Sequence, residues 1–414
     1  MAVMNMFWKI NFTCISLLKW LGRNVASSFI NRPAPVHVLF CLTDHFEPGT
    51  GKVPIEVEKE RMQILLTRLP NFTRQHRDST GNLSKRTWFF PPHYHRNGNL
   101  RKLVSLCADG LGEVELHLHH GKTMPDTSEN LRKTIELCIQ EYSYFGIFGT
   151  ENGLKRYGFI HGDWALDNSR NNLYCGVNNE LQILKETGCF ADFTFPSMNM
   201  SNPDKINSIY YALDDPNKAK SYNTGKYVRK NGKEWGDLMM IQGPVYPYFL
   251  HKNIMGLRVM GDVIDGTPPV VKDRIDLWVK TGIHVKGAEN VVIIKTHTHG
   301  AINHEAVLGD ELQGILHYLE TQYNDGKHYM LHYVTARELF NIIKAIEHGE
   351  PADNIEQYRN YKIQPPVYNC SVNYESASEL LKNACTKHIN KIIVVSTIFL
   401  LERLKPEIEI YNRF

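Results

Sequence analysis

Residues 36–45 read Val-His-Val-Leu-Phe-Cys-Leu-Thr-Asp-His, an apolar run that ends in a carboxylate and an imidazole. A continuous apolar run of this length is typical of a buried parallel strand. Three later segments also place acids or imidazoles at the end of a strand-like run, and they are 113–120, 157–163 and 291–299. In strand-helix barrels the carboxyl ends of the strands meet at one rim, where the active site is assembled. The four segments therefore predict a barrel with polar groups gathered at its rim.

Apolar strand candidates alternate along the chain with segments of helical spacing, which is the pattern of a parallel α/β sheet. The strand candidates are residues 36–43, 86–91, 113–119, 157–161, 190–195, 237–242, 291–297 and 329–334. The helical candidates are residues 57–69, 127–142, 178–186, 270–280, 305–321 and 336–347. This alternation predicts an α/β fold, a distorted (β/α) barrel of seven or eight strand-helix units. The polar tract 202–236 is expected to be a long excursion over the rim.

The regular alternation occupies only the middle of the chain, which suggests three regions. They are an N-terminal extension (1–33), the predicted (β/α) barrel (34–349) and a small C-terminal extension (350–414), where several prolines interrupt the pattern. Residues 6–24 are expected to form an amphipathic surface helix. The apolar stretch 392–401 is much shorter than the roughly 20 residues of a spanning helix. No transmembrane segment is therefore expected.

Composition limits the classes of partner. The chain has 414 residues, of which 42% are hydrophobic, enough to bury a large core. Its 47 basic and 44 acidic residues give a net charge of +3, which is too small to indicate binding to nucleic acid. Eight cysteines without a C-x-x-C pair are expected to be reduced thiols, and no clear signal peptide is recognisable. These features favour a cytoplasmic location and a small or neutral ligand, and they leave the oligomeric state open.

Histidines are concentrated around the second rim segment. His117 and His119 alternate with apolar residues, so in an extended strand their side chains point to the same face. Two imidazoles in this arrangement are a ready pair of metal ligands. Five of the 19 histidines lie between positions 93 and 120, namely His93, His95, His117, His119 and His120. The alternative interpretation is a structural or incidental histidine cluster.

The first and last rim segments offer groups for proton transfer. Asp44 and His45 can supply a general base and a metal ligand, which metal-assisted hydrolysis needs from separate groups. Alternatively, Asp44 caps the following loop. Glu47 is a further carboxylate whose place the sequence does not indicate. His297 and His299 again share a strand face, and a histidine there could protonate a leaving group or simply bond to neighbouring loops.

The third rim segment ends in His161-Gly162-Asp163-Trp164. His161 and Asp163 could orient a ligand beside the indole of Trp164, on which a sugar ring could stack. Trp164 could equally belong to the core.

These residues resemble the NodB-homology polysaccharide deacetylases, carbohydrate esterase family four. That family has a Thr-Phe-Asp-Asp motif, a catalytic base followed by a metal-binding Asp, and Asp44-His45 is similar to this pair with His in place of the second Asp. Residues 113–117 resemble its Glu-Ile-Gly-x-His motif, and residues 293–297 resemble its Ile-Ile-Leu-x-His motif, whose His is the general acid. Residues 175–188 resemble the family's later helix-strand unit. The similarity covers roughly residues 34–345 and implies a metal-dependent enzyme that removes acetyl groups from sugars.

The sequence departs from this family at several points. The family's second metal-binding His lies four residues after the first, where this chain has Gly121, so His119 or His120 must serve instead. The Arg-x-Pro-x-Gly and Asp-x-x-Asp-Trp motifs are not found. Residues 161–164 lie near the position expected for the Arg-x-Pro-x-Gly motif. The sequence therefore indicates a divergent branch, and does not identify the sugar or the type of acetyl linkage.

The resemblance and the residues together predict a divalent ion, expected to be zinc, held by His45, His117 and His119. Asp44 is expected to be the base and His297 the acid, with His161, Asp163, Trp164 and His299 lining a carbohydrate site. Two other functions stay open at this point. One is glycoside hydrolysis on a related barrel, with Asp44 and Asp163 as its paired carboxylates. The other is a catalytically inactive sugar-binding protein of a polysaccharide cluster.

Overall fold

The computed structural model describes residues 32–94, 98–249 and 257–371, together with Leu18. His95, the segment 392–401 and, apart from Leu18, the predicted helix 6–24 lie outside the described residues. The chain divides into two compact units, Met1–Tyr368 and Asn369–Phe414. Of the second unit, only residues 369–371 are described. Within the described residues, no helix combines the length and the apolar character that a bilayer crossing requires.

All eight predicted strands are present and run parallel in one sheet. They are β1 (Val36–His45), β2 (Arg86–Phe90), β3 (Gly112–Leu118), β5 (Leu154–His161), β6 (Cys189–Asp192), β9 (Leu238–Ile241), β12 (Val291–Thr298) and β13 (Tyr329–Tyr333). The sheet order is β12-β1-β2-β3-β5-β6-β9, followed by β7 (Ile209–Ala212) and β8 (Lys226–Tyr227), and β13 also pairs with β1. β1 is central: its first half pairs with β13, its end pairs with β2, and β12 runs along most of its length. All ten of its residues are buried, as expected for a strand covered on both faces.

The remaining strands are short and antiparallel, and the sequence pattern does not indicate them. They are β4 (Gly149–Glu151), β7 (Ile209–Ala212), β8 (Lys226–Tyr227), β10 (Tyr246–Phe249) and β11 (Leu257–Met260). β7 and β8 lie within the polar tract 202–236, so this predicted excursion contains two strands that extend one end of the sheet. β10 and β11 pair with each other as a separate ribbon.

Helices connect most of the parallel strands. They are α1 (Ile55–Arg74), α2 (Asn99–Ala108), α3 (Ser128–Tyr144), α4 (Glu180–Glu186), α5 (Lys272–Thr281), α6 (His304–Val307), α7 (Asp310–Gln322) and α8 (Ala336–Glu347). All six predicted helical segments are helical, although 305–321 is divided between α6 and α7, and α2 was not predicted. α8 begins at a capping box, in which Thr335 and Glu338 satisfy each other's backbone N–H groups. It is buried along its whole length, which explains its mainly apolar sequence.

The sheet curls into a half-barrel, and closure of the predicted (β/α) barrel is not confirmed. The ladder order ends at β12 on one side and at β8 on the other. Among the described residues, the edge of β12 that faces away from β1 forms two isolated β-bridges and no ladder. These bridges join Val263 to His297 and Ile283 to Ile293. The opposite end of the sheet is formed by the short strands β7 and β8, each antiparallel to its neighbour, and among the described residues neither pairs with β12.

The core fills the concave side of the sheet and extends toward α8. Leu39, Phe89 and Ile293 belong to this core, as do Ile355 and Ile363 from the segment that follows α8. That segment is fixed by polar contacts as well. The guanidinium of Arg337 donates to the carbonyl oxygens of Arg359 (3.1 Å) and Ile363 (2.9 Å). Residues 351–363 therefore pack against α8, and the strand ends at the opposite edge of the sheet are left to form a site.

Candidate metal centre at the strand ends

Three potential ligands converge where β1 and β3 end. Oε1 of Glu47 lies 2.6 Å from Nε2 of His119 and 3.7 Å from Nε2 of His117. The ligand atoms of Glu47, His117 and His119 all lie within 4.8 Å of one another. Carboxylate and imidazole groups at such separations can hold a metal ion.

The strand geometry explains why these residues meet. His117 is the sixth residue of β3 and His119 follows the strand directly, so both imidazoles leave the same face of the sheet. β1 ends at His45, and the fully buried side chain of Phe46 fixes the chain before Glu47 turns toward the two histidines. The site is not sealed, because the side chain of Glu47 is 12% exposed and that of Asp163 is 30% exposed.

The Nδ1 atoms of the two histidines are both occupied. Nδ1 of His117 donates to the carbonyl oxygen of Ile160 (2.8 Å), and Nδ1 of His119 donates to Oδ2 of Asp163 (2.9 Å). In a neutral imidazole this leaves the lone pair on Nε2, which faces Glu47 in both cases. A carbonyl or carboxylate partner on the far nitrogen is the arrangement that orients histidines toward metal ions in proteins.

The backbone around Asp163 is shaped to receive His119. A Cβ atom added to Gly162 would lie 2.2 Å from Nδ1 of His119, so only glycine leaves room for the ring. Asp163 and Trp164 both have left-handed backbone conformations, with φ of 55° and 53°. Positive φ is rare for a bulky residue such as Trp and is found mostly where function holds it in place. The turn presents Asp163 to His119 and brings the Trp164 ring to within 6.2 Å of those of His45 and His297.

Burial and charge shift the protonation of His117 and Glu47 in favour of cation binding, whereas the contacts of His119 with Asp163 and Glu47 raise its pKa although burial acts to lower it. Burial, together with the positive charge of His119, lowers the pKa of His117 to about 3, so this imidazole is neutral at physiological pH. Burial alone would raise the pKa of Glu47, but the close contact with His119 and the nearby imidazoles hold it well below its ordinary value. A neutral imidazole and an ionised carboxylate are the forms that bind a metal.

Two buried ring nitrogens at this site have no hydrogen-bond partner. They are Nε2 of His119, whose close approach to Glu47 lacks hydrogen-bond geometry, and Nε2 of His45. Buried polar atoms in folded proteins are almost always satisfied, so these two unpaired nitrogens, of which that of His119 faces Glu47, indicate a missing cation or ligand. The residues present therefore fit a metal ion.

His45 lies beside this group but does not belong to the three whose ligand atoms meet. Its ring centroid is 5.2 Å from that of His117, 5.4 Å from that of His297 and 4.9 Å from that of His299. It thus stands between the candidate metal ligands and the residues that end β12. Burial and the surrounding imidazoles lower its pKa well below the ordinary value, which keeps it neutral.

His297 is oriented by an acid that the sequence did not indicate. Nδ1 of His297 lies 2.7 Å from Oδ1 of the fully buried Asp262, and the other carboxylate oxygen accepts a bond from Nζ of Lys295 (3.0 Å). Burial opposes ionisation of Asp262, but the charges of His297 and Lys295 hold its pKa below the ordinary value. Because the carboxylate accepts a hydrogen bond from the N–H group at Nδ1, Nε2 of His297 is the atom that can exchange a proton at the rim.

Asp44 faces a different environment from His45, as expected for neighbours on a strand. Its carboxylate is fully buried: Oδ1 accepts from the backbone N–H of Gly300 (2.7 Å), and Oδ2 makes no hydrogen bond but lies 3.7 Å from Nη1 of Arg86. Burial raises the pKa of Asp44 to about 6 although Arg86 acts to lower it.

The other predicted rim residues are divided between two places. Trp164 and His299 lie at the rim, with ring centroids 6.1 Å apart, and Asp163 contacts His119 there. His161, in contrast, is fully buried and contacts a second group of potential ligands, His120, Cys175 and Glu180. The structure does not bring His161 together with Asp163 and Trp164, because the left-handed turn at 163–164 redirects the chain directly after the strand.

A third acid and imidazole group is explained by protein contacts alone. It consists of Asp78, His332 and Glu356. Asp78 accepts bonds from backbone N–H groups and from Arg359, and Arg359 also pairs with Glu356. The guanidinium of Arg359 thus already contacts both acids.

No family model and no curated protein sequence matches the chain. The residues themselves therefore carry the functional argument.

Proposed function

We propose that this chain is a metal-dependent hydrolase that removes N- or O-linked acetyl groups from a sugar or polysaccharide, as the NodB-homology deacetylases do. The observation that supports the proposal most is the convergence of Glu47, His117 and His119 at the strand ends, next to the Asp262–His297 pair. A candidate metal site beside an oriented histidine combines the two elements that hydrolysis of an acyl bond requires.

Glu47, His117 and His119 would hold the ion, and His45 is the candidate for a further ligand because its Nε2 is buried and unpaired. Two imidazoles and one carboxylate with an open position are a common zinc ligand set in hydrolases, so zinc is the proposed metal. When bound, such an ion would polarise the acyl carbonyl and lower the pKa of the attacking water.

His297 is proposed to protonate the departing amine or alcohol. The support is its bond to Asp262, which holds the ring in one orientation and leaves Nε2 to transfer the proton. Its side chain is 9% exposed, whereas that of Asp262 is completely buried, so only the imidazole can reach a substrate.

Asp44 is proposed to take the proton from the attacking water. Two features support this role: its Oδ2 has no hydrogen-bond partner, and its pKa is raised to about 6, close to the range in which a general base works best. Its complete burial beside Arg86 supports the competing explanation, in which Asp44 mainly anchors Gly300 and the loop after β12.

The sugar is proposed to lie against Trp164, with His299 and Asp163 nearby. The partly exposed indole offers a face for a sugar ring, and its buried Nε1 has no hydrogen-bond partner. His161 is left out of this proposed binding surface because it is fully buried in the second group.

The experiment is to incubate the zinc-loaded chain with acetylated oligosaccharides and to follow both acetate and glycan mass. We expect the mass to fall by one acetyl unit with the glycan length intact, and chelator to stop the reaction. Shortened glycans in the presence of chelator would favour glycoside hydrolysis. Binding of the sugars by folded, metal-loaded protein without any product would favour an inactive sugar-binding protein.

A further inference from the structure

A second group of potential ligands lies behind the rim. His120 follows β3, His161 ends β5, Cys175 lies in the loop before α4, and Glu180 is the first residue of α4. Their ligand atoms all lie within 4.8 Å of one another, and all four residues are buried, with exposures of 8% for His120, 1% for His161 and 0% for Cys175 and Glu180.

The hydrogen-bond pattern places lone pairs against each other in this group. Nδ1 of His120 lies 3.0 Å from Oδ2 of Asp126, which can only accept, so the ring proton is on Nδ1. Nδ1 of His161 likewise donates to the carbonyl oxygen of Gly162. In the neutral tautomers the two Nε2 atoms therefore carry lone pairs, yet they lie only 2.9 Å apart.

Glu180 adds a third acceptor to this contact. Its Oε1 lies 3.1 Å from Nε2 of His120 and 3.5 Å from Nε2 of His161. Three acceptors at these separations repel each other unless a positive charge lies between them. Because zinc bonds to nitrogen are 2.0–2.1 Å long, two tetrahedral ligand atoms are about 3.3 Å apart, which is close to the separations found here.

Cys175 completes the group on the side of Glu180. Its Sγ lies 3.3 Å from Oε2 of Glu180 and accepts backbone N–H groups from Asn168 (3.3 Å) and Val177 (3.5 Å). Burial raises the pKa of this thiol to about 11, and the two backbone donors would stabilise the thiolate that forms when a metal ion displaces the proton. A thiolate with two imidazoles selects zinc rather than magnesium or calcium, which prefer oxygen ligands.

We propose that His120, His161, Cys175 and Glu180 form a structural zinc site that is separate from the rim centre. The four ligands come from three segments, so the ion would tie the ends of β3 and β5 to the loop that precedes α4. All four positions of a tetrahedral ion are filled by protein and the group is closed to solvent, as in structural rather than catalytic zinc sites. Asp126 and Gly162 supply the outer partners that such histidines usually have.

A metal-free explanation exists and makes different predictions. If His120 is doubly protonated, its Nε2 proton can bond to Glu180, and the group becomes a buried ion pair with a neutral thiol. In that case the site takes no metal and Cys175 is only a core residue.

Metal analysis of the full chain, purified without chelator from zinc-containing medium, separates these explanations. We expect two zinc ions per wild-type chain, one in Cys175→Ser and one in His117→Ala, which disrupts only the rim centre. Cys138→Ser, at another buried free cysteine, is the control and should keep two. A Cys175→Ser protein with wild-type zinc content would overturn the proposal, and a failure of the proposed deacetylase activity would not affect it.

Cobalt provides a measurement that does not depend on a variant folding. The wild-type chain loaded with Co²⁺ should show a thiolate-to-cobalt charge-transfer band in the near ultraviolet. The band should persist in His117→Ala, whose remaining site contains Cys175, and disappear in Cys175→Ser. Absence of the band in the cobalt-loaded wild-type chain would overturn the proposal, because the rim centre contains no cysteine.

Discussion

Oδ1 of Asp262 lies 2.7 Å from Nδ1 of His297, although the residues are 35 positions apart in the chain. The carboxylate is completely buried, whereas the imidazole reaches the rim. Asp262 thus fixes both the tautomer and the orientation of His297, and Lys295 neutralises the second oxygen of the carboxylate. Asp262 is a positioning residue for the proposed acid.

Asp262→Asn should leave the fold and the bound metal intact but lower kcat. An amide has no second oxygen to accept from Lys295 and His297 together, so His297 loses its fixed tautomer. General acid catalysis contributes about 10²–10⁴-fold, and we expect a loss in this range with little change in KM. Steady-state kinetics with zinc analysis of the same samples measures this. A kcat within twofold of that of the wild type would show that catalysis does not depend on the positioning of His297 by Asp262.

Asp44→Asn tests the proposed base against an anchoring role. The amide oxygen can still accept from Gly300, so the loop should stay in place while the proton acceptor is lost. We expect turnover to fall by about 10²-fold or more with zinc content unchanged. In the wild type, kcat/KM should rise with pH through about 6, because the pKa of Asp44 is raised to about 6 and only the carboxylate can take a proton. An Asn variant that is less stable but fully active would show that Asp44 only anchors Gly300.

The sequence predicted the parallel strands well because buried parallel strands are continuous apolar runs. β1 and β12 contain such runs, whereas β3 alternates Glu and His with apolar residues, and all three lead into polar residues that the structure places near one edge of the sheet. Whether the sheet closes into a barrel could not be predicted from apolar runs, because closure depends on pairing between strands that are distant in the sequence. The antiparallel strands β7 and β8 at the far end are four and two residues long and lie in a polar tract, so no periodicity marks them.

Residues on strands were easier to place at the site than residues on loops. His117 and His119 could be assigned to one face from alternation alone. Glu47 and Asp262 lie outside the strands, where no periodicity predicts the direction of a side chain, and only the folded chain brings them to the histidines. His161 and Asp163 were expected to orient one ligand, but the left-handed backbone of Asp163 ends the strand geometry, and His161 lies in the buried group instead.

Gly121 stands where the family that the sequence was found to resemble has its second metal-binding His. Its φ is +63°, and a Cβ atom there would lie 2.0 Å from the carbonyl oxygen of Cys175. No histidine could therefore occupy the position at which that family has its second metal ligand. In this chain His119 contacts Glu47 instead, and His120 belongs to the buried group.

His117→Ala should remove the rim metal without unfolding the chain. His117 is one of three residues that meet at the centre, and loss of one imidazole should weaken metal binding by about 100-fold or more. His299→Ala is the matched control, because His299 lies at the rim outside the ligand group and should keep the metal. Zinc titration of both variants, with circular dichroism to verify folding, measures the difference. Equal zinc affinity in the two proteins would rule out the proposed ligand set.

His37 should make the fold less stable in mild acid. It is buried with Nδ1 2.9 Å from Nε2 of His332, and burial, followed by the charge of His332, lowers its pKa to about 4. An unfolded chain takes up this proton near its ordinary pKa of about 6.5, so the stability present at neutral pH is lost as pH falls from about 6.5 to about 4. Between pH 7 and pH 5 this residue should account for about 2 kcal/mol. Urea unfolding of the wild type and of His37→Asn at pH 7 and pH 5 measures this contribution to the free energy of unfolding. An equal change in stability between the two pH values in both proteins would show that His37 does not cause it.

Gly162→Ala should disturb the rim centre through backbone contact alone. The added Cβ would lie 2.2 Å from Nδ1 of His119, so the ring must move away from Asp163 and lose the orientation that directs Nε2 at Glu47. We expect zinc affinity of the rim centre to fall by about 10–100-fold, the usual effect of losing an outer partner of a histidine ligand. Gly314→Ala is the control, because Gly314 lies within α7 with open space around its Cα, and alanine there should stabilise the helix by about 0.5–1 kcal/mol. Zinc titration and thermal unfolding of the two variants make the comparison, and unchanged zinc affinity in Gly162→Ala would show that the placement of His119 does not depend on this glycine.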